Sequence, residues 1–259
     1  MRERARGAVN AARDPQAGER SFIDLHCHTR ASFDSLSSPS AVARAAATRG
    51  LTHLAITDHD RIEGALEARE AAPPGLTIIV GEEIRTADGD LIAVFLERPI
   101  PPGMSATETI EAAREQGALV GLPHPFDRFR GSLGRVRELE ELARLVDWVE
   151  AHNARIVGAG GNERAAEFAR GVGLPGVAVS DAHSVVEVGV AYTALVGDPS
   201  SPAGLLAALE SVEVVPGRAS YLVRAVTPFA KGINRLRGNR RVRPASVVPP
   251  SAPVARPRP

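Results

Sequence analysis

The chain has 259 residues, 44% of them hydrophobic, with 31 basic and 31 acidic side chains and a single cysteine. That length can bury a substantial core, one cysteine excludes an internal disulfide framework and suits a reducing compartment, and no window is apolar for long enough to cross a bilayer. The net charge of zero is unevenly spread: ten basic residues and no acid follow Glu213, which leaves 21 basic against 31 acidic residues in 1–213.

Residues 1–20, MRERARGAVNAARDPQAGER, hold no apolar run of the signal-peptide kind. They are expected to form a flexible segment ahead of a cytoplasmic domain. From residue 21 onward short apolar runs alternate with Ala-rich stretches. The runs are SFIDLH, THLAIT, LTIIVGEEI, DLIAVFL, GALVGLPH, VDWVEAHN and PGVAVSDAH. Helices are predicted at 39–49, 62–72, 105–116, 136–145, 162–170 and 202–210. The first has Ser-Pro at its start and Gly50 at its end. Near-continuous apolar strands alternating with helices predict parallel strands buried on both faces. Seven such units predict an α/β barrel over residues 21–225. Residues 226–259 are expected to be a disordered basic, Pro-rich tail. No aromatic residue follows Phe229, so the tail offers no surface for base stacking. The acidic body before it suits a site that gathers divalent cations.

Nearly every apolar run ends in His, Asp or Glu, and in a barrel of parallel strands chemistry collects at that edge. In FIDLHCHT, strand alternation places Asp24, His26 and His28 on one face and Ile23, Leu25 and Cys27 on the other. Cys27 then packs as a small hydrophobe beside the site. In SDAH, Asp181 and His183 share a face. Asp58 and His59 end TDH, Glu82 and Glu83 lie in GEEI, His124 lies in PHP, and Asp34 lies in the loop after the first pair. Only one of Glu82 and Glu83 can face inward, and alternation does not say which. Convergent nitrogen and oxygen donors of this kind suit a divalent metal. Of the other histidines, His53 begins its strand at the far end and is expected to be structural, whereas His152 is expected to line the pocket.

Taken in order, DLHCHTRASFDS, LAITDHD, GEEIRTADGDLIAVFL, LPHPFDRFR, EAHNAR and VSDAH resemble the PHP (polymerase and histidinol phosphatase) superfamily of metal-dependent phosphoesterases, over roughly residues 21–195. The resemblance implies a distorted seven-stranded (β/α)7 TIM-like barrel holding two or three divalent ions, Mn2+, Fe2+ or Zn2+. It implies that His26, His28, Glu83 and Asp181 hold one ion, that Glu83 bridges to a second also held by His124, and that Asp34, His59 and His183 hold a third. Asp90 stands where many members have another histidine. A carboxylate there either ligates a hard ion or leaves the second site weaker or empty. Close metals would activate a water for attack on phosphorus and polarise a phosphoryl oxygen, with Asp34 and His59 placed to assist the leaving group. Arg128, Arg130 and Arg155, with Asn153, are the expected substrate-binding residues, since arginine suits phosphate through bidentate contact. Arg30 is a weaker candidate.

The implied function is hydrolysis of a small phosphorylated substrate, a phosphomonoester or nucleotide. The alternatives are an exonuclease acting on short RNA or DNA and a non-catalytic metal-binding regulatory module. No membrane or obligate protein partner is indicated. The binuclear amidohydrolase form needs a carboxylated lysine, and the sole lysine, Lys231, falls in the expected tail beyond the barrel.

Overall fold

The computed structural model describes residues 19–127, 136–158, 160–220, 223 and 226–242. The elements run β1 (Arg20–Asp24), α1 (Pro39–Thr48), β2 (His53–His59), α2 (Glu63–Glu70), β3 (Thr77–Arg85), β4 (Asp90–Val94), α3 (Ala106–Arg114), β5 (Leu119–Leu122) and α4 (Val136–Ala143). They continue with β6 (Trp148–Asn153), α5 (Gly161–Val172), β7 (Gly176–Val179), β8 (Tyr192–Val196), α6 (Pro202–Ala208), β9 (Glu213–Val215) and α7 (Val226–Leu236). Local chemistry marks the helix starts. The Ser38 hydroxyl accepts from the Ala41 amide ahead of Pro39 in α1, and Ser105 and Glu108 form a reciprocal capping box on α3.

All seven apolar runs are strands, but two expectations change. The sheet has nine strands among the described residues, in the order β7-β6-β5-β4-β3-β2-β1-β8-β9. It is also not all-parallel: β4 runs antiparallel to both β3 and β5, and β8 runs antiparallel to β1. The reason lies between β3 and β4, where residues 86–89 turn the chain tightly through a Thr86 N to Gly89 O bond of 2.8 Å. A link that short cannot hold a crossover helix, so it makes a hairpin. The sheet nearly closes into a barrel. The His28 amide donates to the Ala182 carbonyl at 2.8 Å, and the Thr193 hydroxyl exchanges bonds with both backbone groups of Ala178.

Alternation along the strands sorts the core into two layers. Leu54, Ile56, Val80 and Ile84 pack outward with Val42 and Ala46 of α1. Ile23, Leu25, Ala55, Ile79 and Ile92 fill the barrel with Trp148. The Trp148 ring lies where a side chain on Gly121 would sit: a Cβ there would fall 2.2 Å from it. A packed floor leaves the C-terminal edge of the strands as the place for polar side chains.

The expected tail starts too early at residue 226. Val226–Leu236 is helical, and residues 237–242 return across the C-terminal edge of the barrel. Asn234 Nδ2 donates to the carbonyls of Ser32 and Ser35 (3.3 and 2.8 Å), and Asn239 Nδ2 to those of Arg30, Ala31 and Ser32 (3.0–3.3 Å). Two asparagines that satisfy loop carbonyls so far away in sequence are invisible to composition. Residues 1–18 and 243–259, the rest of the two expected flexible segments, lie outside the described residues.

Candidate metal centre

The first pair of histidines reaches the barrel mouth by a break in the strand, not by its alternation. β1 ends at Asp24, whose Oδ1 accepts from the amides of Ser180 at 3.0 Å and His26 at 3.4 Å. Leu25 stays with the barrel filling, so Ile23 and Leu25 do not share the face of Cys27 as expected. After the kink His26 and His28 point into the site, and Cys27 faces the outer layer as a buried hydrophobe. Asp24 reaches no ligand group; burial pushes its carboxyl up to about 6.

On β3 the structure decides between the two glutamates. Ile79, two strand positions before Gly81 and four before Glu83, fills the barrel, so Glu83 faces inward and Glu82 outward. Burial pushes the Glu82 carboxyl up to about 8, and its Oε2 accepts from the Ile100 amide at 2.8 Å. Glu83 is the hub. Its Oε2 lies 3.3 Å from His26 Nε2, 3.4 Å from His28 Nε2 and 3.0 Å from His59 Nδ1, while Oε1 lies 3.3 Å from His124 Nε2. Burial opposes its ionised form, but the His59 and His26 charges hold the carboxyl well below its usual range.

Two further carboxylates complete the cluster. Asp181 Oδ1 stands 3.5 Å from His28 Nε2, 3.8 Å from His26 Nε2 and 3.4 Å from His183 Nδ1. Asp34 Oδ2 stands 3.4 Å from His59 Nε2 and 3.3 Å from His183 Nε2. Both His124 and Asp181 hold left-handed backbone, with φ of 28° and 51°. Such conformations cost energy and persist only where surroundings fix them.

Several residues position the ligands, a task the sequence did not mark for them. Glu150 Oε1 takes the other ring nitrogen of His26 at 2.6 Å, while Oε2 accepts from the His124 amide at 2.9 Å. Glu150 and Glu83 together overcome burial and push His26 up to about 10. Ser32 Oγ meets His28 Nδ1 at 3.1 Å and accepts from the His59 amide at 3.0 Å. Asp58, a possible ligand in the sequence, instead accepts from the Thr29 amide and hydroxyl at 2.6 and 2.7 Å and so shapes the loop after His28. An alternating strand pattern could have pointed to Glu150, which sits two positions after Trp148 on β6.

A cavity of about 270 Å³ opens over the cluster, lined among others by Asp34, His59, Glu83, Asp90 and Arg155. Lys231 and Arg241 line it too, so the only lysine is not beyond the barrel: its Nζ lies 3.9 Å from Asp34 Oδ2. It does not bridge two ligand groups, the position that Glu83 occupies. Asp90 faces the cavity but its Oδ1 accepts from Arg241 Nη2 at 2.7 Å. Asn153 does not reach the cavity as expected. It is fully buried and its amide donates to Glu150 and Asp181 at 2.9 and 3.0 Å. His152 also turns away, because β6 bulges between Glu150 and His152, and its Nε2 meets the Gly217 backbone at 2.8 Å. Arg30 pairs with Glu67 on the surface at 2.8 Å. His53 bonds Thr52 and Ser200 at the opposite end, as expected. Arg128 and Arg130 lie outside the described residues.

The donor set fits divalent ions. Three groups bring their ligand atoms within 4.8 Å of one another: His28, Asp34, His59 and His183; His26, His124 and Asp181; and His26, His28 and Glu83. The Nε2 atoms of His26 and His28 stand 3.0 Å apart, close to the separation of about 3 Å between ligands that share one ion at about 2.1 Å. Asp34 Oδ1 is buried and accepts no hydrogen bond among the described residues. Without cations, gathering so many buried donors would cost several kcal/mol per charge, of order.

Comparisons with known proteins identify the family. A Methanocaldococcus jannaschii protein of uncharacterized function is 36% identical over 143 residues, covering 51% of this chain and 81% of its own length. A 5′-3′ exoribonuclease of Haemophilus influenzae is 32% identical over 117 residues, 40% of this chain and 42% of that one. Among solved structures, a two-domain Bacteroides vulgatus protein containing a PHP-like metal-dependent phosphoesterase matches with a TM-score of 0.67 at 20% identity, covering 83% of this chain and 70% of that one. At that identity the likeness speaks for the fold alone. The PHP-associated family model matches residues 159–214, and the PHP domain model matches residues 24–159, more than half of the chain and the whole run from the first strand's end through β6. The chain belongs to the PHP domain family.

Proposed function

We propose that this protein is a metal-dependent phosphoesterase that hydrolyses a phosphomonoester or nucleotide-type substrate. One observation carries the reading: a single buried carboxylate, Glu83, touches four histidines and so joins the ligand groups into one cluster beneath a small cavity. The residues that would hold divalent ions are His26, His28, Glu83, His124 and Asp181 at depth, and Asp34, His59 and His183 beside the cavity. When bound, such ions supply a nucleophilic water near neutral pH and Lewis acidity toward phosphoryl oxygens.

The chain's own residues divide the remaining work. Glu150 and Ser32 fix the ring orientation of His26 and His28, which leaves each one nitrogen for a ligand bond. His59 and Asp34 are the members of the cluster nearest the leaving group. Burial lowers the His59 ring pKa, but Glu83 and Asp34 outweigh it and raise it. Arg155, held by Glu187 at 3.0 Å and Thr227 at 2.7 Å, presents its guanidinium to the cavity and binds the phosphate. Arg128 and Arg130 remain candidates for the same task.

The test is phosphate release by metal-stripped protein refilled with Mn2+ or Zn2+. The panel holds an aryl phosphate, nucleoside 5′- and 3′-monophosphates, a 3′,5′-bisphosphate, histidinol phosphate and a short RNA. Metal-dependent turnover that disappears in His124→Ala is expected. Tight metal binding without turnover of any member would sink the catalytic reading in favour of a regulatory module. The exoribonuclease relative supports a second reading, in which the phosphoryl group belongs to the end of a short RNA or DNA; preferred turnover of the RNA would select it.

A further inference from the structure

Asp90 belongs to the cavity wall, yet it joins none of the ligand groups found among the described residues. Its register explains where it stands. On β4 it pairs with Arg85 of β3, while Ile92, two residues on and on the same face, pairs with Glu83. Asp90 is therefore an inward carboxylate one step along the strand from the hub. It is 5% exposed, and leaving such a charge uncompensated beside Glu83 would be costly.

The compensation comes from Arg241. Its Nη2 donates to Asp90 Oδ1 at 2.7 Å, and its Nε lies 3.4 Å from Asp60 Oδ2. Asp60 is held independently of the arginine. Asp60 takes a left-handed backbone, with φ of 55°, and its Oδ1 accepts from the Arg85 amide at 2.8 Å. The arginine is fixed as well. The chain on either side is held by Asn239 on the loop at 30–32, by Arg61 on the Arg240 carbonyl and by Arg85 on the Val242 carbonyl. The guanidinium also lies 5.8 Å from the centre of the Phe33 ring. These contacts hold a cation in one place and leave it only about a quarter exposed.

We propose that Arg241 is a resident cation of the active site, occupying the corner at Asp90 that a metal ion would otherwise fill. The proposal rests on the metal-centre reading above. A guanidinium cannot lose its charge by deprotonation at any ordinary pH, so an ion binding Asp90 must displace it from that carboxylate and leave it the longer contact with Asp60. The remaining donors describe two neighbourhoods, not three. His26 and His28 each commit Nδ1 elsewhere, to Glu150 and Ser32. With one nitrogen each, they cannot serve a third ion in their group with Glu83 beside the two groups they already join, so the three overlapping groups describe two ions.

The test counts metal. Full-length protein is stripped, equilibrated with Mn2+ and freed of excess ion, and its metal is measured by inductively coupled plasma mass spectrometry beside a calorimetric Mn2+ titration. Wild type should hold about two equivalents, and Arg241→Ala and Arg241→Met about three. Asp90→Asn added to either variant should return the count to about two, which shows that the gained ion sits on Asp90. An unchanged count in folded Arg241→Ala, three equivalents in wild type, or an equivalent lost in Asp90→Asn alone would each overturn the proposal. Phosphate release is read separately on the same samples. Metal counts as expected with no turnover would leave Arg241 in this role and remove the phosphoesterase reading.

Discussion

Glu82 and Glu83 are adjacent and chemically alike, yet the pleat of β3 sends them to different environments. Glu82 lies under the helices with its carboxyl pushed from 4.5 up to about 8. A group whose folded pKa is raised stabilises the fold below its unfolded pKa and loses that contribution as pH climbs through the folded value. Wild-type stability should therefore fall between about pH 4.5 and 8 on this account. Glu82→Gln should flatten that slope in urea melts at pH 5 and pH 8 and keep metal binding. A steeper slope in the variant would contradict the assignment. Glu150 acts through His26 and His124. Glu150→Gln should weaken Mn2+ binding by roughly 10–100-fold, the usual cost of losing a carboxylate behind a ligand, as read by calorimetry on a protein whose circular dichroism is unchanged.

At the scale of elements, β6 carries both the barrel floor and the site. Trp148 fills the space that Gly121 leaves, and Glu150 stands two residues above it. Trp148→Ala should cost about 3–5 kcal/mol in chemical denaturation, with metal affinity falling in the same protein because the strand that aims Glu150 loses its seat. α7 is held to the loop after the first strand largely by polar contacts. Asn234→Ala takes the Asn234 donor from the Ser35 carbonyl and leaves that of Ser32 to Asn239, at a cost of about 1–3 kcal/mol. Faster amide exchange confined to residues 226–242 and the loop at 30–37 is the expected signature. Exchange spread over the whole barrel would mean that α7 is integral to the core.

Over the whole molecule, the acidic body and the basic C-terminal stretch meet at one place. Lys231 and Arg241 come from the segment that holds ten basic residues and no acid, and both stand at the mouth of the cluster. Ions filling that cluster would add to the stability of the fold. Ligand ions bound at 100 times their Kd stabilise by about 2.7 kcal/mol per site. Chelation should thus lower the thermal midpoint and Mn2+ should restore it; a midpoint indifferent to metal would count against a cluster filled in the native state. Among the described residues no helix is long and apolar enough to cross a membrane.

The seven strands, the edge on which chemistry gathers and the histidines at 26, 28, 59, 124 and 183 were legible in the sequence alone. They depend on local apolar runs and on the residues that end them, and such patterns are written within a few positions. The reversal of β4 follows from the short turn at 86–89, but the break after Asp24, the inward face of Glu83 and the burial of Asn153 were decided by neighbours far away in the chain. So were the three supports that the sequence left unmarked: Glu150 is 124 residues from His26, Arg241 is 151 from Asp90, and Asn234 is 199 from Ser35. Composition marked residues 226–242 as part of a basic, Pro-rich, disordered tail, and only the basic character of that reading holds here. A helix held down by hydrogen bonds to distant carbonyls buries little apolar surface, and so only the tertiary structure reveals that this stretch closes the site.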